Sequence, residues 1–119
     1  MASPFVWFDL RTSDRASATA FYERLLGWEA NEVPMGDQTL AMIGGEQPWG
    51  GIGLPPVQEG RAQWLPYIQV ADVDTAVAQA VELGGRVLHP KIEGPAGHFA
   101  TVADPTGAAI ALWEPRPSS

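Results

Sequence analysis

The sequence contains no cysteine, and basic residues are scarce among its 119 positions. The missing cysteine excludes disulfides, thiolate metal sites and cysteine nucleophiles. Lysine and arginine together number 7 against 14 acidic residues, for a formal charge of −7, and nucleic-acid binding needs a basic surface. No apolar run has the length of a membrane span, and the first residues lack the basic segment of a secretory signal. We therefore expect a cytoplasmic protein that binds neither nucleic acid nor membrane.

The residues that are present fit one globular domain. A chain of this length can bury roughly two thirds of its unfolded surface, and hydrophobic residues make up 45% of it. The acidic balance is compatible with a cationic ligand, although it can also serve solubility alone.

The second half of the chain repeats the pattern of the first half. Phe8–Ala20 is similar to Ile68–Ala80, and Gly50–Leu54 is similar to Ala108–Leu112. Each half begins with an alternating strand, continues with a helix of period 3.6 and ends with three short strand-like runs. The pattern predicts an α+β fold of two tandem βαβββ modules.

The module boundaries follow from a polar, turn-rich segment in the middle of the chain. We expect a single domain over residues 1–119, with module one at 1–56, a linker at 57–63 and module two at 64–119. Paired either within one chain or across a dimer, such modules would form curved mixed sheets around a central cleft, with the helices on the outer faces. Ligands tend to bind in such clefts.

Both predicted helices carry recognisable ends. Ser13 or Asp14 can cap the first helix, and Asp72 or Asp74 the second. Gly27 provides a natural stop for the first. Their apolar faces are predicted at helical spacing: Ala18, Phe21, Tyr22 and Leu25, then Val73, Ala76, Val77 and Ala80.

Three segments carry a resemblance to a known superfamily. They are "FYERLLGW" (Phe21–Trp28), "VADVDTAVAQAVELGG" (Val70–Gly85) and "GHFATVADPTGAAIALWEP" (Gly97–Pro115). With them the chain resembles the vicinal oxygen chelate (VOC) superfamily, which includes glyoxalase I, extradiol dioxygenases and bleomycin-resistance proteins. The resemblance implies the paired-module fold and, since small members are commonly dimers, a homodimer.

The resemblance also bears on metal binding. Metal-dependent members carry His, Glu or Gln at inward positions of the first and last strand of each module. Those positions fall on Phe5, Gly53, Leu65 and Ala111, or after a slip of two residues on Trp7, Pro55, Tyr67 and Trp113. None of these suits a catalytic divalent ion, which needs about three N or O ligands. We therefore expect no metal and no other cofactor.

Strand alternation selects the candidate ligand residues. Trp7 and Asp9 share the inward face of the first strand, and Tyr67 and Gln69 share that of the matching strand. Asp9 and Gln69 are the polar pair that the repeat places symmetrically. They could orient a ligand, or instead bond neighbouring backbone.

Aromatic residues and a histidine complete the candidate set. Ala111 and Trp113 share the inward face of the last strand, and Trp49 lies in the glycine-rich segment "GGEQPWGG", a potential flexible lip. Indoles around a cavity suit a planar ligand, although tryptophan can equally fill a small core. His98 is the better histidine for acid–base work, because imidazole titrates near neutral pH, but a structural role fits it too.

Besides a module that acts mainly as a subunit or interaction partner, two functions remain open on these grounds. The first is a metal-independent protein that binds or sequesters an aromatic or cationic small molecule, as the antibiotic-resistance members of the superfamily do, with no catalytic residue. The second is an enzyme, such as a glyoxalase-like lyase or isomerase, that uses Asp9 or His98. The candidate ligand-binding residues are Trp7, Asp9, Trp49, Tyr67, Gln69, His98, Ala111 and Trp113.

Overall fold

Each half of the chain folds as a strand, a helix and three further strands, in a computed structural model that describes residues 3–94 and 96–116. The first half contains β1 (Phe5–Arg11), α1 (Arg15–Leu26), β2 (Ala30–Met35), β3 (Gln38–Ile43) and β4 (Gly50–Leu54).

The second half repeats this order of elements. It contains β5 (Gln63–Gln69), α2 (Val73–Glu82), β6 (Arg86–Glu93), β7 (Gly97–Ala103) and β8 (Ala109–Pro115). The prediction of an α+β fold with two tandem βαβββ modules is confirmed. Neither helix is long and apolar enough to cross a membrane, as far as the described part of the chain goes.

The chain divides into two compact units. The first unit is Trp7–Leu65, and the second unit combines the described residues up to Val6 with those from Pro66 onward. The strand order is β2-β3-β4-β1 in the first half and β5-β8-β7-β6 in the second. The first and last strands of each half pair in parallel, and the other pairs are antiparallel, so the expected mixed sheets are present.

Both helices begin where their sequences predict, and α1 also ends at its predicted residue. The Asp14 carboxylate accepts a hydrogen bond from the Ser17 backbone N–H at 3.1 Å, and the Asp72 carboxylate accepts one from Thr75 at 3.2 Å. These bonds satisfy amides that a helix leaves open at its start. Gly27 ends α1 in the left-handed conformation, with φ of 72°, which glycine adopts without steric cost.

Each unit packs its helix on one face of its sheet. In the first unit, Leu10, Ala41, Ile43 and Ile52 form the buried core, against which Ala18 and Tyr22 of α1 pack. In the second unit, the buried core is Val73, Ala100, Val102 and Leu112, and Val77 and Ile110 pack against it.

The apolar face predicted for α1 is only partly used in this packing. Ala18 and Tyr22 contact the core, but Phe21 and Leu25 are 57% and 62% exposed. The helical spacing identified the helix correctly. The spacing could not predict how much of the apolar face the sheet would cover. The sheet contacts only a narrow strip of α1, so the flank with Phe21 and Leu25 is exposed.

A turn before β8 depends on one ionised carboxylate. Oδ1 of Asp104 accepts hydrogen bonds from the Thr106 N–H (2.7 Å), the Thr106 hydroxyl (2.6 Å) and the Ala108 N–H (3.1 Å). These bonds, that from the Thr106 side chain first, hold the pKa of Asp104 below its ordinary value of 3.8.

The Asp104 turn predicts an acid-dependent contribution to stability. A carboxyl group with a lowered folded-state pKa stabilises the fold fully above its unfolded pKa, and loses that contribution as pH falls through the folded value. Asp104→Ala should therefore lower the free energy of unfolding at neutral pH. The difference in this free energy between the variant and the parent protein should narrow below about pH 4. Urea unfolding from neutral pH to below about pH 4 tests this prediction. A free-energy difference between the two proteins that widened on acidification would contradict it.

Candidate ligand-binding site

A buried polar cluster lies on the face of β1 that points away from α1. The Trp7 indole N–H donates a hydrogen bond to Oδ1 of Asp9 at 2.6 Å, and Nε of Arg11 lies 3.6 Å from Oδ2 of the same carboxylate. Asp9 is 3% and Arg11 7% exposed. Arg11 also donates from Nη1 to the backbone oxygen of Pro55 at 3.3 Å. The two predicted residues Trp7 and Asp9 are thus brought together, with an arginine that the sequence analysis missed.

The alternation of β1 could have identified Arg11. Trp7, Asp9 and Arg11 follow one another at the period of two that places side chains on one strand face. The pairing of β1 with β4 shifts by one residue at Arg11. Leu10 pairs with Ile52, whereas the next residue, Arg11, pairs with Leu54.

Gly53 falls inside this register shift. Its φ is 119°, and a Cβ atom there would lie 2.7 Å from Cγ of Arg15. The resemblance assigns Gly53 to an inward position, but a Cβ atom there would be directed at the side chain of Arg15 on α1. Glycine is required here for both its conformation and its lack of a side chain.

Four predicted ligand residues share one sheet face in the second unit. The register aligns Tyr67 with Ala111 and Gln69 with Trp113 across β5 and β8. Phe99 on β7 aligns with Trp113 from the other side. The rings of Tyr67 and Phe99 are 5.9 Å apart between centroids, although their strands flank β8. The two rings therefore meet above β8, where Ala111 is 0% exposed.

Trp113 lies beside this ring pair. Its indole is half-buried, and a Cβ atom at Gly97 would lie 2.9 Å from Cη2 of the ring. The indole thus rests against backbone that only glycine leaves open. Gln69, which precedes the turn into α2, is exposed next to Trp113.

Trp49 and His98 lie on the helix-bearing faces of their units. Trp49 makes edge contacts with Phe8 at 6.2 Å and with Trp28 at 4.8 Å, and Trp28 packs against the core beneath α1. His98 is aligned with Glu114, one position from Phe99, so it faces the side of β7 opposite Phe99. The structure therefore separates Trp49 from Trp7 within the first unit, and His98 from Trp113 within the second.

Comparison with known proteins assigns the family. The family of glyoxalase-like domains matches residues 6–113. The chain belongs to this family. It is a member of the VOC superfamily, as its motifs suggested.

Two curated relatives illustrate the range of glyoxalase-like proteins similar to this chain. "Putative glyoxylase CFP32" of Mycobacterium tuberculosis is 38% identical over 121 residues, which cover 91% of the chain and 44% of that protein. "Anthracycline biosynthesis protein DauV" of a Streptomyces species is 29% identical over 126 residues, which cover 92% of the chain and 41% of that protein. The chain therefore spans less than half the length of these relatives.

A solved structure supports the fold of this glyoxalase-like domain. The methylmalonyl-CoA epimerase of Streptomyces coelicolor, solved as a variant in complex with 2-nitronate-propionyl-CoA, aligns with a TM-score of 0.62. The alignment covers 98% of this chain and all of the epimerase chain at 17% identity. At that identity the similarity supports the shared fold alone.

The four positions that the resemblance assigns to metal ligands carry no side chain that could bind a metal ion. Phe5, Gly53, Leu65 and Ala111 have no side-chain nitrogen or oxygen, and Leu65 and Ala111 are fully buried. Within residues 3–94 and 96–116, no three His, Asp or Glu side chains are grouped so that they could hold a metal ion. Divalent ions in proteins require such donor sets.

Among the cavities that the described residues form, two open ones lie in the first unit, and no predicted ligand residue lines either. One, of about 590 Å³, is lined by Ser13, Pro56, Glu59, Gly60, Arg61 and Ala62. The other, of about 440 Å³, is lined by Leu10, Thr12, Asp14, Ser17, Ala18, Phe21, Tyr22, Ala62, Gln63 and Trp64.

The cluster around Asp9 predicts a stability difference between two substitutions. Asp9→Ala removes the acceptor of the Trp7 indole N–H and the carboxylate beside Arg11, in a buried position. We expect the free energy of unfolding to fall by about 1–3 kcal/mol. Asp9→Asn keeps an oxygen that can accept the hydrogen bond of the Trp7 indole, so its free energy of unfolding should fall less. Urea unfolding measures both, and equal stability of Asp9→Ala and the parent protein would contradict the structural role.

Proposed function

We propose that this protein is a metal-independent VOC protein that binds an aromatic small molecule, as the drug-sequestering members of the superfamily do. One observation carries the proposal. Tyr67, Ala111 and Trp113 are in register on one sheet face with Phe99 beside them, so that three aromatic rings border a position with only a methyl side chain.

The chemistry of this face favours a planar ligand. Ring pairs in offset or edge contact contribute about 0.5–1.5 kcal/mol beyond their buried area. Trp113 is half-buried and rests on Gly97, so its indole is held in place while part of its surface stays accessible. The exposed amide of Gln69 beside it can donate and accept hydrogen bonds. Small-molecule sites commonly combine aromatic walls with a few such polar groups.

The ligand class is aromatic rather than cationic. Asp9 was the candidate for pairing with a cation, but its carboxylate already accepts the Trp7 N–H and lies beside the Arg11 guanidinium. A cationic ligand would have to compete with this arginine.

An enzymatic function is the second candidate. A relative is named as a glyoxylase, and Nε2 of the half-buried His98 lies 4.0 Å from Oε1 of the exposed Glu93. Histidine is the side chain most often used in general acid–base catalysis. In this alternative His98 or Asp9 would act as the acid or base in a lyase or isomerase reaction.

Removal of Trp113 tests the binding proposal. Tryptophan fluorescence is titrated with a panel of aromatic metabolites and antibiotics, in buffer containing a chelator, to find a ligand of the parent protein. Trp113→Ala should then weaken that ligand about thirtyfold, since loss of an aromatic anchor costs about 2 kcal/mol or more. Trp49→Phe, which removes an indole on the helix-bearing face of the first unit, is the matched control and should bind as the parent does.

Two outcomes would contradict the proposal. Equal losses in Trp113→Ala and Trp49→Phe would show that this face is not the site. If His98→Ala abolished turnover of a substrate that still bound, the enzymatic candidate would replace sequestration.

We further propose that the protein forms a homodimer. β2 and β6 end the strand order of the described sheets, so each has one open edge, and such edges are a liability in a monomer. Light scattering at high protein concentration should give twice the monomer mass. A monomer mass under these conditions would contradict the proposal.

A further inference from the structure

A second cavity with a chemistry of its own lies beside α1. The groove of about 440 Å³ is bordered by β1, the first turns of α1 and the start of β5, all within the first unit. Its volume falls within the range of ligand pockets, about 300–1,000 Å³. It shares Ala62 with the neighbouring cavity of about 590 Å³, so a bound molecule would have room to extend.

The groove lies on the opposite side of β1 from the Asp9 cluster. Leu10 lines it, and Leu10 alternates along the strand with Asp9. None of the residues proposed above for aromatic binding lines this groove. The two sites can therefore be tested independently.

The apolar wall of the groove is a set of mutually supported rings. Tyr22 stacks on Trp28 with centroids 5.2 Å apart, and makes edge contacts with Phe21 at 5.0 Å and Trp64 at 5.4 Å. The Trp64 indole N–H donates to the Tyr22 hydroxyl oxygen at 3.1 Å, which leaves the hydroxyl proton for another acceptor. Tyr22 and Trp64 are thus held in position, while Phe21 presents most of its ring to solvent.

The polar end of the groove carries negative charge. Asp14 is the one charged residue among the residues that line it. Its hydrogen bond from the backbone of Ser17 lowers the pKa of the carboxyl group, so it is ionised at neutral pH. The start of α1 contributes about half a positive charge, less than the full charge of Asp14.

Arg15, which follows Asp14 in the chain, does not neutralise this end. Arg15 directs its guanidinium to the backbone oxygen of Thr39 at 3.2 Å and to Glu32 at 3.4 Å. Neither Thr39 nor Glu32 lines the groove. Gln63 also lines the groove, and its Oε1 has no hydrogen-bond partner within the described residues. A buried acceptor without a partner costs free energy, so a ligand that brings a donor is favoured in this groove.

We infer that this groove is a second binding site, for a small aromatic amine in its protonated form. The ring of the ligand lies against Tyr22, Trp64 and Phe21, and its ammonium group points toward Asp14. The distribution of aromatic and acidic side chains matches these two parts of the ligand. Cations are also attracted to the faces of tryptophan and tyrosine rings.

Three ligands with one ring and different charges test the inference on the full chain. 2-Phenylethylamine, 2-phenylethanol and 3-phenylpropionate are titrated separately while the five tryptophan indole N–H signals are followed by NMR. The amine should shift the Trp64 signal saturably and bind about fivefold more tightly than the carboxylate, as expected for one exposed charge pair. The signal of Trp113 should not move, which distinguishes this site from the face proposed above.

Matched substitutions separate charge from helix capping. Asp14→Asn keeps a good capping residue and removes the charge, and Asp72→Asn makes the same change at the start of α2, outside the groove. We expect Asp14→Asn to weaken the amine about threefold to fivefold, with Asp72→Asn unchanged. Phe21→Ala should weaken all three ligands about threefold, and Leu25→Ala, an exposed residue of α1 that does not line the groove, should not.

The inference is overturned by any of three results. They are equal affinities for the amine and the carboxylate, no saturable shift of the Trp64 signal, and identical behaviour of Asp14→Asn and Asp72→Asn. If Asp14→Asn proved poorly folded by circular dichroism, the comparison of Phe21→Ala with Leu25→Ala would decide the question alone.

Discussion

The parallel pairing of the first and last strand in each half determines where the candidate side chains point. β1 pairs with β4, and β5 with β8, so each half must carry its chain across the sheet before the last strand can be placed. The helix covers one face as a result of that crossing. Every residue of these strands then faces either the helix or the opposite side. The core residues Leu10 and Leu112 take the first direction, whereas Asp9 and Trp113 take the second.

Local sequence signals predicted the elements better than they predicted the site. Asp14, Asp72 and Gly27 act at the helix ends as their chemistry suggests, since capping depends on a few neighbouring atoms. Trp49 could not be placed in this way, because its position depends on contacts with Phe8 and Trp28 that are distant in the chain. His98 was assigned by its chemistry rather than by its alternation with Phe99, which would have placed it on the helix-bearing face. The register shift beside Gly53 was invisible to a strict period of two.

Matching positions in the first strands of the two halves carry side chains of different chemistry. Trp7 and Asp9 correspond to Tyr67 and Gln69 by their order in the modules. In the first half the carboxylate is buried and held between an indole and a guanidinium, so its hydrogen-bonding capacity is used within the protein. In the second half the amide is exposed beside Trp113, so its capacity is available to other molecules. This difference is why the proposed aromatic site is argued from the second unit.

The packing around Ala111 argues against creating a metal site by one substitution at that position. Ala111 lies where the Tyr67 and Phe99 rings meet above β8, with no exposed surface. A carboxylate there would have to displace the rings or be buried without a partner, and an unpaired buried charge costs several kcal/mol. Leu65, also fully buried, offers no second donor, and Gly53 points toward Arg15. Leu65 and Ala111, two of the four positions that the superfamily resemblance assigns to metal ligands, are therefore part of the packing of this protein.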